Sequence, residues 1–93
     1  MANPTISQIR GCIRSLDYVV SIHAAEELDD DNLTINDLEN IVLTGKIIEC
    51  QRDTRTQEIK CVVRGLTLEE RDAEIVVKIG PLGNLFVITA YLA

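Results

Sequence analysis

At Gly45 the spacing of apolar residues changes, and that change constrains the fold more than any other feature of the chain. Before it, Ile6, Ile9, Ile13 and Leu16 recur at helical spacing with Cys12 beside them, while Gln8, Arg10 and Arg14 take the wet side. Asn3 as N-cap and Pro4 in the first helical position open this helix, over residues 4–16, with Gly11 as its weak point. Tyr18-Val19-Val20 reads as a short apolar link. Ser21 caps a second, short helix with Ile22, Ala25 and Leu28 inside, running out in the polar stretch from Asp29 to Asn32. Thr34-Ile35-Asn36-Asp37 resembles a capping box with Asp in place of Glu, and Leu33 can staple onto Leu38. Ile35, Leu38, Ile41 and Val42 then share one face of a third helix, 35–43, which Gly45 ends.

After Gly45 the period is two. Strands are predicted over Lys46–Gln51, Glu58–Gly65, Asp72–Ile79 and Leu85–Leu92, with turns at Asp53-Thr54-Arg55-Thr56 and Gly80-Pro81-Leu82-Gly83-Asn84. Connections this short leave no room for helical crossovers, so neighbours run antiparallel. The expected fold is α+β: two to three N-terminal helices packed on a four-stranded antiparallel sheet. A chain of 93 residues makes one domain, 1–93. Its composition, 46% hydrophobic and 26% charged, excludes global disorder.

Cys12, Cys50 and Cys61 are odd in number and form no Cys-x-x-Cys pair, which argues against a disulfide framework or zinc knuckle. Each thiol reads as a small buried hydrophobe. No run approaches a membrane span and no charged segment precedes a long apolar one, so a cytoplasmic protein without membrane partners is expected.

The net charge of −6 opposes non-specific attraction to phosphates. It is unevenly spread: residues 1–45 hold Arg10 and Arg14 against eight carboxylates, whereas the remainder is balanced, seven against seven. Any anion-binding surface therefore belongs to the second half. Aromatic residues amount to 3%, too few for a base-stacking platform.

Period-two alternation turns Ile59, Cys61, Val63, Ala73, Ile75, Val77, Ile79, Phe86, Ile88 and Ala90 toward the helices. The opposite face collects Glu58, Lys60, Arg64, Glu74, Lys78, Thr89 and Tyr91. Three cations from separate strands beside a phenol can hold a phosphodiester and stabilise the charge that develops as it is cleaved. The plainer account is a solvated sheet face whose cations pair across strands with Glu58 and Glu74, each pair worth ~0.2–1 kcal/mol. His23, the sole histidine, has Glu26 and Glu27 at helical spacing to orient it as a general acid or base; a plainer role is backbone hydrogen bonding. The acidic residues Glu26, Glu27, Asp29, Asp30 and Asp31 lack the spacing and glycine of a calcium loop and read as a solvated surface or a docking patch for a basic partner.

Ser21-Ile22-His23-Ala24, then Leu33-Thr34-Ile35-Asn36-Asp37-Leu38, then Leu43-Thr44-Gly45-Lys46-Ile47-Ile48-Glu49, and finally Ile88-Thr89-Ala90-Tyr91 together resemble the bacterial domain-of-unknown-function family numbered 4258, from Tyr18 to Tyr91. That family is similar in predicted fold to barnase and RelE-like ribonucleases and toxins, and some members are encoded beside a zinc-finger antitoxin. The resemblance implies a toxin that cleaves mRNA, or a relative that has lost the activity. It places His23 and Tyr91 on the family's His and closing-strand Tyr. Many members carry Arg four and eight residues after the His, where Glu27 and Asp31 stand here, and a Gly where Asn32 stands.

Two functions are expected on this basis. In the first, RNA is cleaved by attack of its own 2′-hydroxyl, with His23 or Tyr91 as general acid/base, Arg64 at the scissile phosphate and Lys60, Lys78 and Thr89 holding the substrate, so no metal or other cofactor is needed. A working site of this kind requires His23, Arg64, Lys78 and Tyr91 to share one cleft. In the second, the chain is a non-catalytic interaction module that pairs, through a helical or sheet-edge surface, with a second copy as a homodimer or with an antitoxin-like protein.

Overall fold

The structure is a computed structural model that describes residues 3–93. Among these residues the elements are α1 (Ile6–Arg14), β1 (Tyr18–Val20), α2 (Ile22–Asp30), α3 (Ile35–Thr44), β2 (Lys46–Arg52), β3 (Ile59–Leu66), β4 (Asp72–Ile79) and β5 (Leu85–Leu92). The mixed α+β architecture follows the change of period at Gly45, but the sheet has five strands, ordered β1-β5-β4-β3-β2. The fifth is the segment read as a link. Tyr18, Val19 and Val20 pair with Leu85, Phe86 and Val87, and they do so in parallel. The intervening helices and strands supply the crossover that parallel pairing needs. The other three pairings are antiparallel.

Helix α1 starts later than expected. Thr5, rather than Asn3, is the N-cap: its hydroxyl accepts from Gln8 N at 3.1 Å and Gln8 Oε1 accepts from Thr5 N at 2.8 Å. That reciprocal box satisfies two helix-end donors, and Pro4 precedes it. The box at α3 forms as the sequence implies. Thr34 Oγ1 accepts from Asp37 N, and Asp37 Oδ2 accepts from Thr34 N at 2.9 Å. Asp37 also reaches outside its helix, with Oδ1 accepting from Leu68 N at 2.9 Å. The backbone donors of Thr34 and Leu68 hold its carboxyl below the usual range despite burial.

Helix α3 lies against β3 at a seam without side chains. A Cβ on Gly65 would overlap the Ile41 carbonyl oxygen, and one on Gly45 would collide with the same atom. Gly45 is the C-cap of α3 but takes an extended conformation, φ −90°. Its glycine is therefore required by close approach, not by a left-handed turn. Arg10 crosses from α1 and donates to the carbonyls of Gly45, at 2.7 Å, and Val42. A cation at a helix C-terminus is favourable there.

The core joins Ile9 and Ile13 of α1, Leu28 of α2 and Leu38, Ile41 and Val42 of α3 to Val63, Ile75, Val77, Leu85 and Val87 of the sheet. Two strand expectations fail. On β5 the inward residues are Leu85, Val87 and Ala90, because the register slips so that Val77 faces Val87 while Val76 faces Thr89. Ile88 is the extra residue of this bulge, and Phe86 points to the opposite face, across from Lys78. Cys50 and Cys61, expected as free thiols, stand directly opposite each other on β2 and β3 and form a disulfide. Cys12 is the free, buried cysteine, and burial together with nearby Asp17 raises its thiol pKa.

Candidate functional site

The face of the sheet away from the helices carries the predicted groups in three cross-strand rows. One row places Phe86 opposite Lys78 and Lys78 opposite Lys60. The middle row runs Thr89, Val76, Val62 and Glu49, and the third runs Tyr91, Glu74, Arg64 and Lys46. Alternation thus brings Lys60, Arg64, Lys78, Thr89 and Tyr91 onto one surface, as the sequence implies. The bulge at Ile88 is what keeps Thr89 and Tyr91 there after Phe86.

Two of the three predicted cations are paired with carboxylates. Arg64 Nη1 lies 3.0 Å from Glu74 Oε2, and its Nη2 lies 3.8 Å from Asp72. Glu74 accepts on its other oxygen from the Tyr91 hydroxyl at 2.7 Å. That bond, then burial and the charges of Glu74, Glu27 and Glu49, raise the Tyr91 pKa. A phenol so held keeps its proton. Lys78 pairs with Glu58 and lies 5.6 Å from the centre of the Phe86 ring. The hydrogen bond from Lys78, followed by its charge, lowers the Glu58 pKa. Two lysines facing each other across β3 and β4 repel, and Glu58 relieves that repulsion.

His23 lies elsewhere, on α2 along the edge of β5. Its Nε2 is 3.4 Å from Glu27 Oε1, and its side chain is 68% exposed. Glu27 Oε1 accepts from Ala90 N at 3.0 Å, and Asp31 Oδ2 accepts from Leu92 N at 3.4 Å. Four residues of helix advance ~6 Å and two of strand ~6.6 Å, so successive carboxylates on α2 meet alternate N–H groups of β5. β1 covers β5 only as far as Val87, and the helix covers the edge beyond it. Sequence reasoning missed this role of Glu27 and Asp31; their spacing of four along the helix was the available signal. Asn32 follows with φ +57°, a left-handed helix end where Gly is favoured and Asn tolerated.

Glu27 thus lies beside His23, and its charge adds a small part to the raised Tyr91 pKa. A cavity of about 550 Å³ opens at the other end of the sheet, between the start of α1 and the turn after β4. Ile59, Lys78, Ile79, Pro81 and Phe86 line it, with Glu58. Of the predicted residues it takes Lys78; His23, Arg64 and Tyr91 lie outside its lining. Among the described residues no group of three or more His, Cys, Asp or Glu side chains is placed to hold a metal ion, and no helix is long and apolar enough to cross a membrane.

No curated protein and no solved structure matches the chain. A family model does, over residues 20–92, spanning the edge-capping helix and every strand but the first two residues of β1. The chain belongs to the family described as domain of unknown function (DUF4258).

Proposed function

We propose that the chain is a non-catalytic protein-interaction module, pairing with an antitoxin-like partner through the open face of its sheet. The observation that carries this reading is that two of the face's cations are held by its own carboxylates, Arg64 by Glu74 and Asp72 and Lys78 by Glu58. A phosphodiester would have to displace these anions to reach Arg64 and Lys78, in a chain of net charge −6 that opposes RNA binding. Half-buried Val62, Val76 and Phe86 between the paired charges suit an apolar contact with a charged rim.

A second reading, a RelE/barnase-like toxin cleaving mRNA without metal, is favoured by the hydrogen-bonded series Tyr91, Glu74, Arg64, with Lys60, Lys78 and Thr89 on the same surface. His23 would then serve as acid or base from the strand edge. Purified protein incubated with end-labelled RNA in chelator-treated buffer separates the two. The module reading expects intact RNA, and no growth defect when the chain is expressed alone in bacteria. Cleavage abolished by Arg64→Ala or Tyr91→Phe establishes the ribonuclease instead.

A further inference from the structure

Two features outside the paired charges point in one direction. The first is apolar exposure: Ile22 is 80% and Val19 51% exposed, high values for large aliphatic side chains flanking one cap, Ser21. Val19 stands opposite Phe86, and Phe86 forms a wall of the cavity at the sheet end. An apolar strip therefore runs from the cavity across Phe86 and Val19 to Ile22. The second is charge. Residues 15–45 hold eight carboxylates and neither Lys nor Arg. On α2, Glu27 and Asp31 are used by the strand edge, but Glu26, Asp29 and Asp30 are exposed and, among the described residues, form no ion pair. Ile22, Glu26 and Asp30 follow each other at intervals of four, so the solvent side of α2 presents an aliphatic residue continued by a line of free acids.

We infer that this strip and the solvent side of α2 together receive a basic amphipathic segment of a partner protein, which inserts an apolar side chain beside Phe86 and lays Lys or Arg residues along Glu26 and Asp30. A second copy of this chain fits poorly, since it would set acidic helices against each other. RNA fits poorly for the same reason. The cavity supplies an anchor point, and the acids supply selectivity and rate of encounter. The inference rests on the interaction-module reading, extends its contact surface from Phe86 past Val19 to the solvent side of α2, and adds the chemistry of the partner segment.

The test uses the full chain, 15N-labelled, titrated with a twelve-residue amphipathic Leu/Lys peptide, the same peptide with Glu for Lys, and a twelve-nucleotide single-stranded RNA. The Leu/Lys peptide is expected to shift the amides of Val19, Ile22 and Phe86, to bind at least tenfold more tightly than its Glu counterpart, and to weaken as salt rises. Combined Ile22→Ser, Glu26→Gln and Asp30→Asn changes, all at exposed positions, should reduce that affinity tenfold or more while the far-UV circular dichroism is unchanged. Equal binding by the Glu peptide, perturbation confined to another surface, or failure of the Leu/Lys peptide to bind overturns the inference. Equal binding at Val62 and Val76 would overturn it while leaving the module reading intact, whereas binding and cleavage of the RNA would remove the module reading itself.

Discussion

The helix-covered face of the sheet buries Cys61, Val63, Ile75 and Val77 completely, whereas the opposite face leaves Val62 and Val76 half-buried among charged residues. The same two central strands, β3 and β4, supply both. On the covered face, close packing sets the energy, so small changes in volume are costly. On the open face, pairs of partly solvated charges cancel one another and contribute little to stability. That surface is consequently the one free to change its chemistry without endangering the fold.

Stability measurements can break this contrast. Gly65→Ala should have the largest effect, about 3 kcal/mol or more in urea unfolding, because the new methyl group meets the Ile41 carbonyl and forces α3 off β3. A loss under 1 kcal/mol would show that the seam adjusts and is not close-packed. Reduction of Cys50–Cys61, which closes an eleven-residue separation, should cost about 2–3 kcal/mol, read as a lower urea midpoint in the presence of a dithiol.

Asp37→Ala should cost about 2 kcal/mol, since it removes acceptors for Thr34 N and Leu68 N together. The sign with pH follows from the lowered carboxyl pKa. The folded state prefers the ionised form, so this stabilisation is complete above the unfolded value of about 3.9 and is lost as pH falls through the lower folded one. The gap between wild type and Asp37→Ala should narrow as the medium is acidified below that value. Arg64→Ala on the open face should be the mildest change, under about 1 kcal/mol, because its pairs with Glu74 and Asp72 are partly solvated. A larger loss would place the open face within the cooperative core and undo the contrast.

What could be read from the residues alone was whatever depends on local periodicity. Helix α3, with its Thr34 cap and its Leu38, Ile41 and Val42 stripe, announces itself, as do the alternating strands β3 and β4. Three residues of β1 offer too few alternations to be told from a link, and their partner lies 67 positions away at Leu85. The disulfide depends on the register set by the turn between β2 and β3, which places Cys50 across from Cys61; spacing in the sequence does not carry that. The bulge at Ile88 shifts the parity of β5 after Val87, and no residue there signals it. For the candidate site, the shared face of Lys60, Arg64, Lys78, Thr89 and Tyr91 was legible from alternation. The position of His23 was not, because where α2 sits against β5 is decided by side chains bonding to a strand edge.

The carboxylates of Glu27 and Asp31 also limit which substitutions this helix can accept. Replacing Glu27 by Arg would add a cation near His23, but it would strip the acceptor from the Ala90 amide in the same step. A basic surface at this helix would therefore demand a second acceptor for that amide before the first change could be tolerated.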